Sequence, residues 1–484
     1  MSKADNLKDF LTDVADAIRL KKGSTDLINP QDFSSEIASL SGSGGLEIVD
    51  MTETTATIEP NKVYVWGMVE SLNITLGAST DENDFFAFRF RCSKPTMTVV
   101  TVNGATWADD TELDAQGKPI LDLGSWYQCE IKGGTSALYA RLAHYIPFAD
   151  SNVEAVLLAK GVGDGLGVTY KDAAMVTDIS TWFYGNADIT AFSEFVNFSG
   201  IIQLERTAFY NCSSLAEIAL PASLTSIGDF SFCKCTSLAE ITLPAGVTSI
   251  KERTFLGCTS LKRVVNLENT KVTSIGEYVF ASCTSLAEIA FPASLTSIGQ
   301  YAFQDCSSLT RIADLENTKL TKIEYQTFYN CSSLTELRLP SSLTTIGDFA
   351  FYNCSSLTEI ELSPSLTSIG AHIFNGCSAL TKITNLENTK VTSLPNNVFY
   401  NCSSLTELRL PSSLTKIDNY VFERCTSLQY IRINAITPPT IQSTIPATVV
   451  AIYVPDESVE AYRAATNWSN YASKIKGISE MPAE

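Results

Sequence analysis

The chain has 484 residues, more than one hydrophobic core would need, and its 45% hydrophobic against 18% charged content excludes wholesale disorder. Lys and Arg number 34 against 53 Asp and Glu, a net charge of −19, which excludes nucleic-acid partners and docking on an anionic membrane surface. No run approaches the roughly 18 to 20 apolar residues of a spanning helix, so no membrane insertion is expected.

The opening MSKADNLKDFLTDVADAIRLKKG carries acids early and no apolar core of a secretory signal. Residues 5–22 place Leu7, Phe10, Leu11, Val14, Ala17 and Ile18 on one stripe, which predicts an amphipathic helix ended by Gly23. Asn29-Pro30 then reads as the cap and first residue of a second short helix, with Phe33, Ile37 and Leu40 on its apolar side. SGSGG at 41–45 is a flexible linker. Segment 1–43 is too small to bury a core of its own. Leu7, Phe10, Leu11, Val14 and Ile18 are therefore expected to serve assembly, by homo-oligomerisation or by docking on another protein. The alternative is packing back on their own chain.

Residues 44–146 change character. Runs such as VYVWGMV (63–69), SLNITL (71–76), FFAFRF (85–90) and TVVTV (98–102), with Gly, Asp and Pro between them, predict a small all-β module. Residues 147–200 are expected to cap the periodic part of the chain on its N-terminal side. Within them VGDGLGVTYKDAAMVTDI (162–179) looks like a degenerate calcium loop. It keeps Asp164 and Asp172 but has Gly161 and Gly163 where further carboxylates are needed, so no metal is expected.

From 201 to 433 the chain repeats. Of 13 cysteines, ten are periodic, from Cys212 to Cys425, with successive spacings of 23, 23, 25, 23, 25, 23, 23, 25 and 23. An odd cysteine count and the absence of a secretion signal argue against a disulfide framework, and two histidines offer little to a metal. Phe stands three residues before each of these cysteines and Leu three after. The longer spacings come from NLENTKV, DLENTKL and NLENTKV, beginning at Asn266, Asp314 and Asn385. A degenerate earlier unit has Phe183, Asn186 and Ile189. In the unit from Phe351 to Gly370, Ile360 and Leu362 alternate with polar residues as in a half-buried strand. Leu366 and Ile369 return the chain, and Gly370 permits the turn. No unit can bury its own apolar face, so units must stack, with Phe351, Cys354, Leu357 and Ile360 in internal columns.

Catalytic signals are weak. His144 and His372 stand in unrelated contexts, and no glycine loop carries the Lys-Ser/Thr of a phosphate cradle. Glu336 and Glu359 fall one strand apart, near the separation of a retaining glycosidase pair, but repetition alone creates such pairs. Mixed signs such as Glu336, Arg338 and Glu361 read as cross-strand ladders. No cofactor is expected and the chain is read as non-enzymatic. Binding suits a stacked surface better: Glu336, Arg338, Glu359, Glu361 and Arg409 on strands, with Tyr329, Tyr352 and Tyr400 and the register of Tyr301, Phe349 and Tyr420, form the candidate set. The rings could equally stack on one another to cover the edge of each coil.

Residues 178–433, through the F-x-x-C-S/T-S-L-x-x-I-x-L-P-x-S-L-T-S-I-G unit, resemble the leucine-rich repeats, most closely the BspA-like subclass found in gut bacteria and their phages. Residues 434–484, with YVP, SVEAY and WSNYASKI, resemble the C-terminal cap of those proteins. The helix pair with INPQDF, then EPNKVYVWGMVESLNITLG and GSWYQCEI, resembles the front end of virion proteins of phages infecting gut bacteria. The resemblance implies a mainly β fold: a BspA-like solenoid preceded by a small helical segment and an all-β module. It implies a fibre or tail-associated virion protein, assembled in the host cytoplasm. Other virion proteins would hold its N-terminal helices, and a host-surface glycan or protein would meet its repeats. A bacterial cell-surface adhesin of the same type and a fibre glycosidase are the alternatives.

Overall fold

The computed structural model describes residues 47–482 apart from 54, 61, 70, 79–84, 93–98, 104, 108–118, 120–125, 133–138 and 164–166. The two expected N-terminal helices, with Leu7, Phe10, Leu11, Val14 and Ile18, and Asp164 of the expected loop lie outside the described residues. The chain divides into two units, Met1–Phe148 with Leu157–Ala173, and Ala149–Val156 with Ala174–Glu484.

In the first unit, alternate strands go to alternate sheets. Strands β1 (Glu47–Met51), β3 (Lys62–Val69) and β5 (Phe85–Cys92) pair in parallel, and so do β2 (Thr55–Ile58), β4 (Ser71–Leu76) and β6 (Val99–Asn103). Strand β7 (Thr106–Trp107), β8 (Trp126–Lys132) and β9 (Tyr139–His144) extend the first sheet to the order β1-β3-β5-β8-β9-β7. Side chains alternate along each strand, so Tyr64 and Trp66, and Phe86, Phe88 and Phe90, face one side. There they bury against Ile58, Leu72, Ile74 and Val100 of the other sheet. The Trp66 indole N–H, which burial would otherwise leave unpaired, donates to the Glu53 carbonyl at 2.7 Å. Two short helices come next in sequence, α1 (Ser151–Ala159) and α2 (Tyr170–Met175). Asp172 is committed to the start of α2, where its Oδ2 accepts from the Thr169 amide at 3.0 Å and hydroxyl at 2.7 Å.

The second unit is a mainly β stack of coils. Each coil contributes two short strands, as Glu359–Glu361 and Ser368–Ile369 do, and these pair in parallel with the same strand of a neighbouring coil, in ladders of two to five strands. The middle residue of the first strand, Ile360 here, points inward and its neighbours outward. Phe351, Cys354, Leu357 and Ile360 are all buried. The Phe351 ring stacks between Phe328 at 5.6 Å and Phe374 at 5.7 Å. Each periodic thiol also donates to the phenylalanine carbonyl of the coil before it. Cys354 reaches Phe328 O at 3.3 Å and Cys377 reaches Phe351 O at 3.2 Å. Cysteine thus fills a small apolar space and gives a second donor to a carbonyl that already accepts the cysteine amide of its own coil, as Phe328 O accepts from Cys331 N at 3.3 Å. Cys129 is buried, and the periodic cysteines are buried free thiols.

The turn between the second strand and the next coil holds two left-handed residues, five and one before each periodic cysteine. In one coil they are Phe349 (φ 57°) and Asn353 (φ 56°). Left-handed backbone costs a residue with a β-carbon about 1 to 2 kcal/mol. It is held because Phe349, Phe351 and Asn353 donate their amides to Ala371, Ile373 and Asn375 of the next coil at 2.9, 3.0 and 2.8 Å. Gly370 differs from the expectation that it frees a turn, because its φ is not left-handed. A β-carbon there would lie 2.4 Å from the Asp348 amide nitrogen, so glycine is needed for close approach of two backbones.

Both ends of the stack are sealed. Phe192, Phe195 and Phe198 are buried at its beginning beside Phe183 and Phe209. There Asp150 accepts from the Thr190 amide at 2.6 Å, the Thr190 hydroxyl at 3.0 Å and the Asn152 amide at 2.9 Å. Burial works to raise its pKa, and these hydrogen bonds outweigh it and hold the carboxyl below its ordinary value. At the far end Ala451–Val454 and Ile475–Gly477 continue the sheet beyond Tyr430–Ile433. Tyr462 and Trp468 are buried there, donating to Ala435 O at 2.8 Å and Pro439 O at 2.7 Å.

Candidate functional site

Coil length shapes the outer surface of the first-strand sheet. In each long coil the extra residues form a 3-10 turn after a left-handed residue: Leu267–Asn269 after Asn266, Leu315–Asn317 after Asp314, and Leu386–Asn388 after Asn385. The leucine of each turn is buried, and the following threonine hydroxyl donates back to its carbonyl at 2.6 to 2.7 Å. The insertions are therefore firm ridges.

Two short coils stand side by side between the second and third ridges. Their first strands, Glu336–Arg338 and Glu359–Glu361, floor a groove of about 630 Å³. Glu336, Arg338, Glu359 and Glu361 are exposed in it, with Ser341, Ser363 and Pro364 beyond them. Glu316 from one ridge and Thr384 at the foot of the other complete the lining. Glu336 sits opposite Glu359 in register, Arg338 opposite Glu361, and Glu359 opposite Lys382. The Glu361 carboxylate accepts from the Asn385 side-chain amide at 2.9 Å, which ties the floor to the third ridge.

The candidate rings are elsewhere. Tyr301, Phe349 and Tyr420 occupy the left-handed turn position, and none of the rings lines the groove. They form a rail of their own. Tyr278 and Tyr301 stack at 4.3 Å, Tyr325 meets Tyr301 and Phe349 edge-on at 5.2 and 5.9 Å, and Phe349 stacks on His372 at 4.4 Å. Tyr329 stacks on Tyr352 at 4.8 Å, and Arg424 lies over Tyr400 at 5.5 Å. Tyr420 is 60% exposed. Arg409 lies on the strand Glu407–Leu410, paired with Glu407 at 2.5 Å, and does not line the groove. The candidates thus separate into a polar groove on strands and an aromatic rail on turns.

His372 ends the stacked part of the rail. Asn375 and Asn397 side chains lie 3.1 and 3.3 Å from its two ring nitrogens. Burial lowers its pKa, against a smaller opposing pull from Asp348. Burial likewise raises the phenols of Tyr325 and Tyr329. Burial thus favours the uncharged forms of Tyr325, Tyr329 and His372, which suits ring stacking.

Residue-by-residue reading missed Glu316, Ser341, Ser363, Thr384 and Tyr325. The signal for the groove was present in the spacings, which run 25, 23, 23, 25 across it.

The family model described as the BspA-type leucine-rich repeat region matches residues 202–321 and 321–445. Among solved structures, a leucine-rich repeat protein from Bacteroides ovatus is similar at 24% identity over 57% of this chain and 88% of that one, with a TM-score of 0.34. The Treponema pallidum leucine-rich repeat protein matches at 31% identity over 37% of this chain and 72% of that one, with a TM-score of 0.28. A leucine-rich cell surface protein from Faecalibacterium prausnitzii matches at 23% identity over 59% of this chain and 81% of that one, with a TM-score of 0.33. A search of curated proteins finds no match.

Proposed function

Because this chain belongs to the BspA-type leucine-rich repeat family, we propose that its stacked coils form a non-enzymatic binding surface for a host-surface glycan or protein, mounted on a phage particle by the N-terminal third. The observation that carries the binding reading is the groove between the ridges at Leu315–Asn317 and Leu386–Asn388. It is a concave place where charged and hydroxyl side chains from successive coils converge. The mounting role rests on the likeness of INPQDF, EPNKVYVWGMVESLNITLG and GSWYQCEI to the front ends of virion proteins.

Binding is tested with fluorescent protein on intact bacterial cells. Ser341→Trp, which fills the groove from an exposed position, is expected to weaken cell binding at least tenfold, and unchanged binding refutes the reading. Peptides of this chain in purified phage particles would support the mounting role. Recovery from the bacterial envelope alone would replace it with that of a cell-surface adhesin. Glycan cleavage lost in Glu336→Gln would refute the non-enzymatic reading.

A further inference from the structure

The charge of the groove says more about its occupant than the volume does. Four carboxylates (Glu316, Glu336, Glu359 and Glu361) face it, against the single guanidinium of Arg338. Two of them, Glu336 and Glu359, are in direct register on neighbouring parallel strands, about 4.8 Å apart at the backbone. Like charges directly opposite destabilise a sheet. Among the described residues neither carboxylate has a cation within ion-pair distance. The same column elsewhere is relieved, since Glu240 is met by Arg263 at 2.6 Å. The groove lining therefore carries net negative charge between walls already built, with Lys382 standing beside Glu359 on the next strand but outside the lining.

Resting on the binding reading above, we propose that this groove takes an extended protein segment bearing arginine, with the guanidinium placed between Glu336 and Glu359. A planar guanidinium has donors on two edges and spans two carboxylates one strand apart, which a single ammonium does less well. Of the floor's strands, Glu359–Glu361 is paired on both sides and Glu336–Arg338 is paired with it, and the groove lies over their outward side chains, so the segment is held by side chains and not by joining the sheet. From the ridge at Asp314 to that at Asn385 is three inter-coil steps, roughly 14 Å, which accommodates about four residues of extended chain. Arg338 sets the orientation, because a second cation beside it is repelled while an acidic or carbonyl group is accepted.

The probe is fluorescein-labelled Gly-Gly-Arg-Gly, followed by fluorescence anisotropy with the full chain. Its citrulline counterpart keeps the shape and removes the charge. The arginine peptide is expected to bind, at least tenfold more tightly than the citrulline peptide, and to weaken as salt rises from 50 to 300 mM, on the order of fivefold. Glu336→Gln with Glu359→Gln removes two like charges from an exposed register, so the double variant is expected to fold as the parent does and to lose at least tenfold in affinity. Equal binding of the two peptides, equal binding by the double variant, or no binding of the arginine peptide overturns the proposal. Cell binding separates this from the broader reading. If Ser341→Trp abolishes cell binding and the double variant does not, the surface stands and its cationic occupant falls. If Ser341→Trp leaves cell binding intact, the groove reading itself fails.

Discussion

Truncating Phe351 to alanine tests whether the stack is held by its internal columns. The side chain is fully buried, and its ring lies within 3° of parallel to Phe328 and 8° to Phe374. Removing a buried phenylalanine side chain costs about 3 to 5 kcal/mol, the range reflecting how far the surroundings collapse into the space. Collapse is restricted here. Phe328 and Phe351 are each pinned by their own amides, donating to Ala350 at 2.9 Å and Ile373 at 3.0 Å, so neighbouring rings cannot slide together without breaking coil-to-coil hydrogen bonds. Two ring contacts are lost as well, each worth about 0.5 to 1.5 kcal/mol beyond buried area. The expected loss therefore lies in the upper part of the range, about 4 to 5 kcal/mol. The assay is urea unfolding of parent and Phe351→Ala, combined with hydrogen exchange along the repeats. In a stack coupled through nearest neighbours, protection should fall first in the turns around Phe328 and Phe374 and persist near the C-terminal cap. A loss below about 1 kcal/mol, or protection lost evenly along all coils, would refute the column model.

Two further outcomes are expected of the same interior. Burial pushes the Cys354 thiol up to about 12, and each periodic thiol is occupied as a donor to a phenylalanine carbonyl. A maleimide reagent at pH 7.5 should leave the ten periodic cysteines unlabelled in native protein and label all ten in 8 M urea, whereas recovery of them as oxidised pairs would contradict the free column. His372 has a folded pKa below its ordinary value of 6.5, so the unfolded chain takes up the proton first as pH falls. The stability this residue contributes is complete above about pH 6.5 and is lost as pH drops through the folded value. The unfolding midpoint of His372→Phe should therefore fall less than the parent's between pH 7.5 and 5, and parallel decline in both would disprove the assignment.

The columns were legible because ten copies turn weak local preferences into a strong period. A single F-x-x-C says little, but ten in register can be buried only by stacking. The alternation at Ile360 and Leu362 likewise specified which side chains point inward. It did not specify the sheets of the N-terminal module, because a period of two tells which face is buried and not which strand lies alongside. Lys62–Val69 and Ser71–Leu76 are separated by one residue, yet they belong to different sheets. The left-handed turn was harder to read still. Asparagine or glycine one residue before the cysteine, as at Asn211, Asn330, Asn353, Asn401, Gly257 and Gly376, was a usable hint. Phe349, Tyr301 and His372 at the other left-handed position were not, since rings there run against local preference. That conformation is imposed by amides of one coil reaching carbonyls of the next, which a local reading cannot contain.

The groove shows how a repeat acquires a particular place for a ligand. A stack of identical coils presents the same surface at every step and favours none. Short coils also stand side by side at Cys212 and Cys235, but a ridge borders them on one side only, at Asn266. Between the ridges at Asn266 and Asp314 lies one short coil, too narrow a floor for two registered carboxylates. The pattern of coil lengths thus leaves one stretch of the stack with two short coils enclosed between two ridges, and that is where Glu336 and Glu359 oppose each other. Chemistry read residue by residue grouped these carboxylates with the tyrosines because both recur at exposed positions. Geometry separates them, since one set rises from strands and the other from the left-handed turns. Most of the rail's rings are already occupied by one another, whereas Glu336 and Glu359 at the groove floor have no cation within ion-pair distance among the described residues. A surface satisfied by its own contacts has little to gain from a ligand, and for that reason the polar groove rather than the aromatic rail is where binding should be sought.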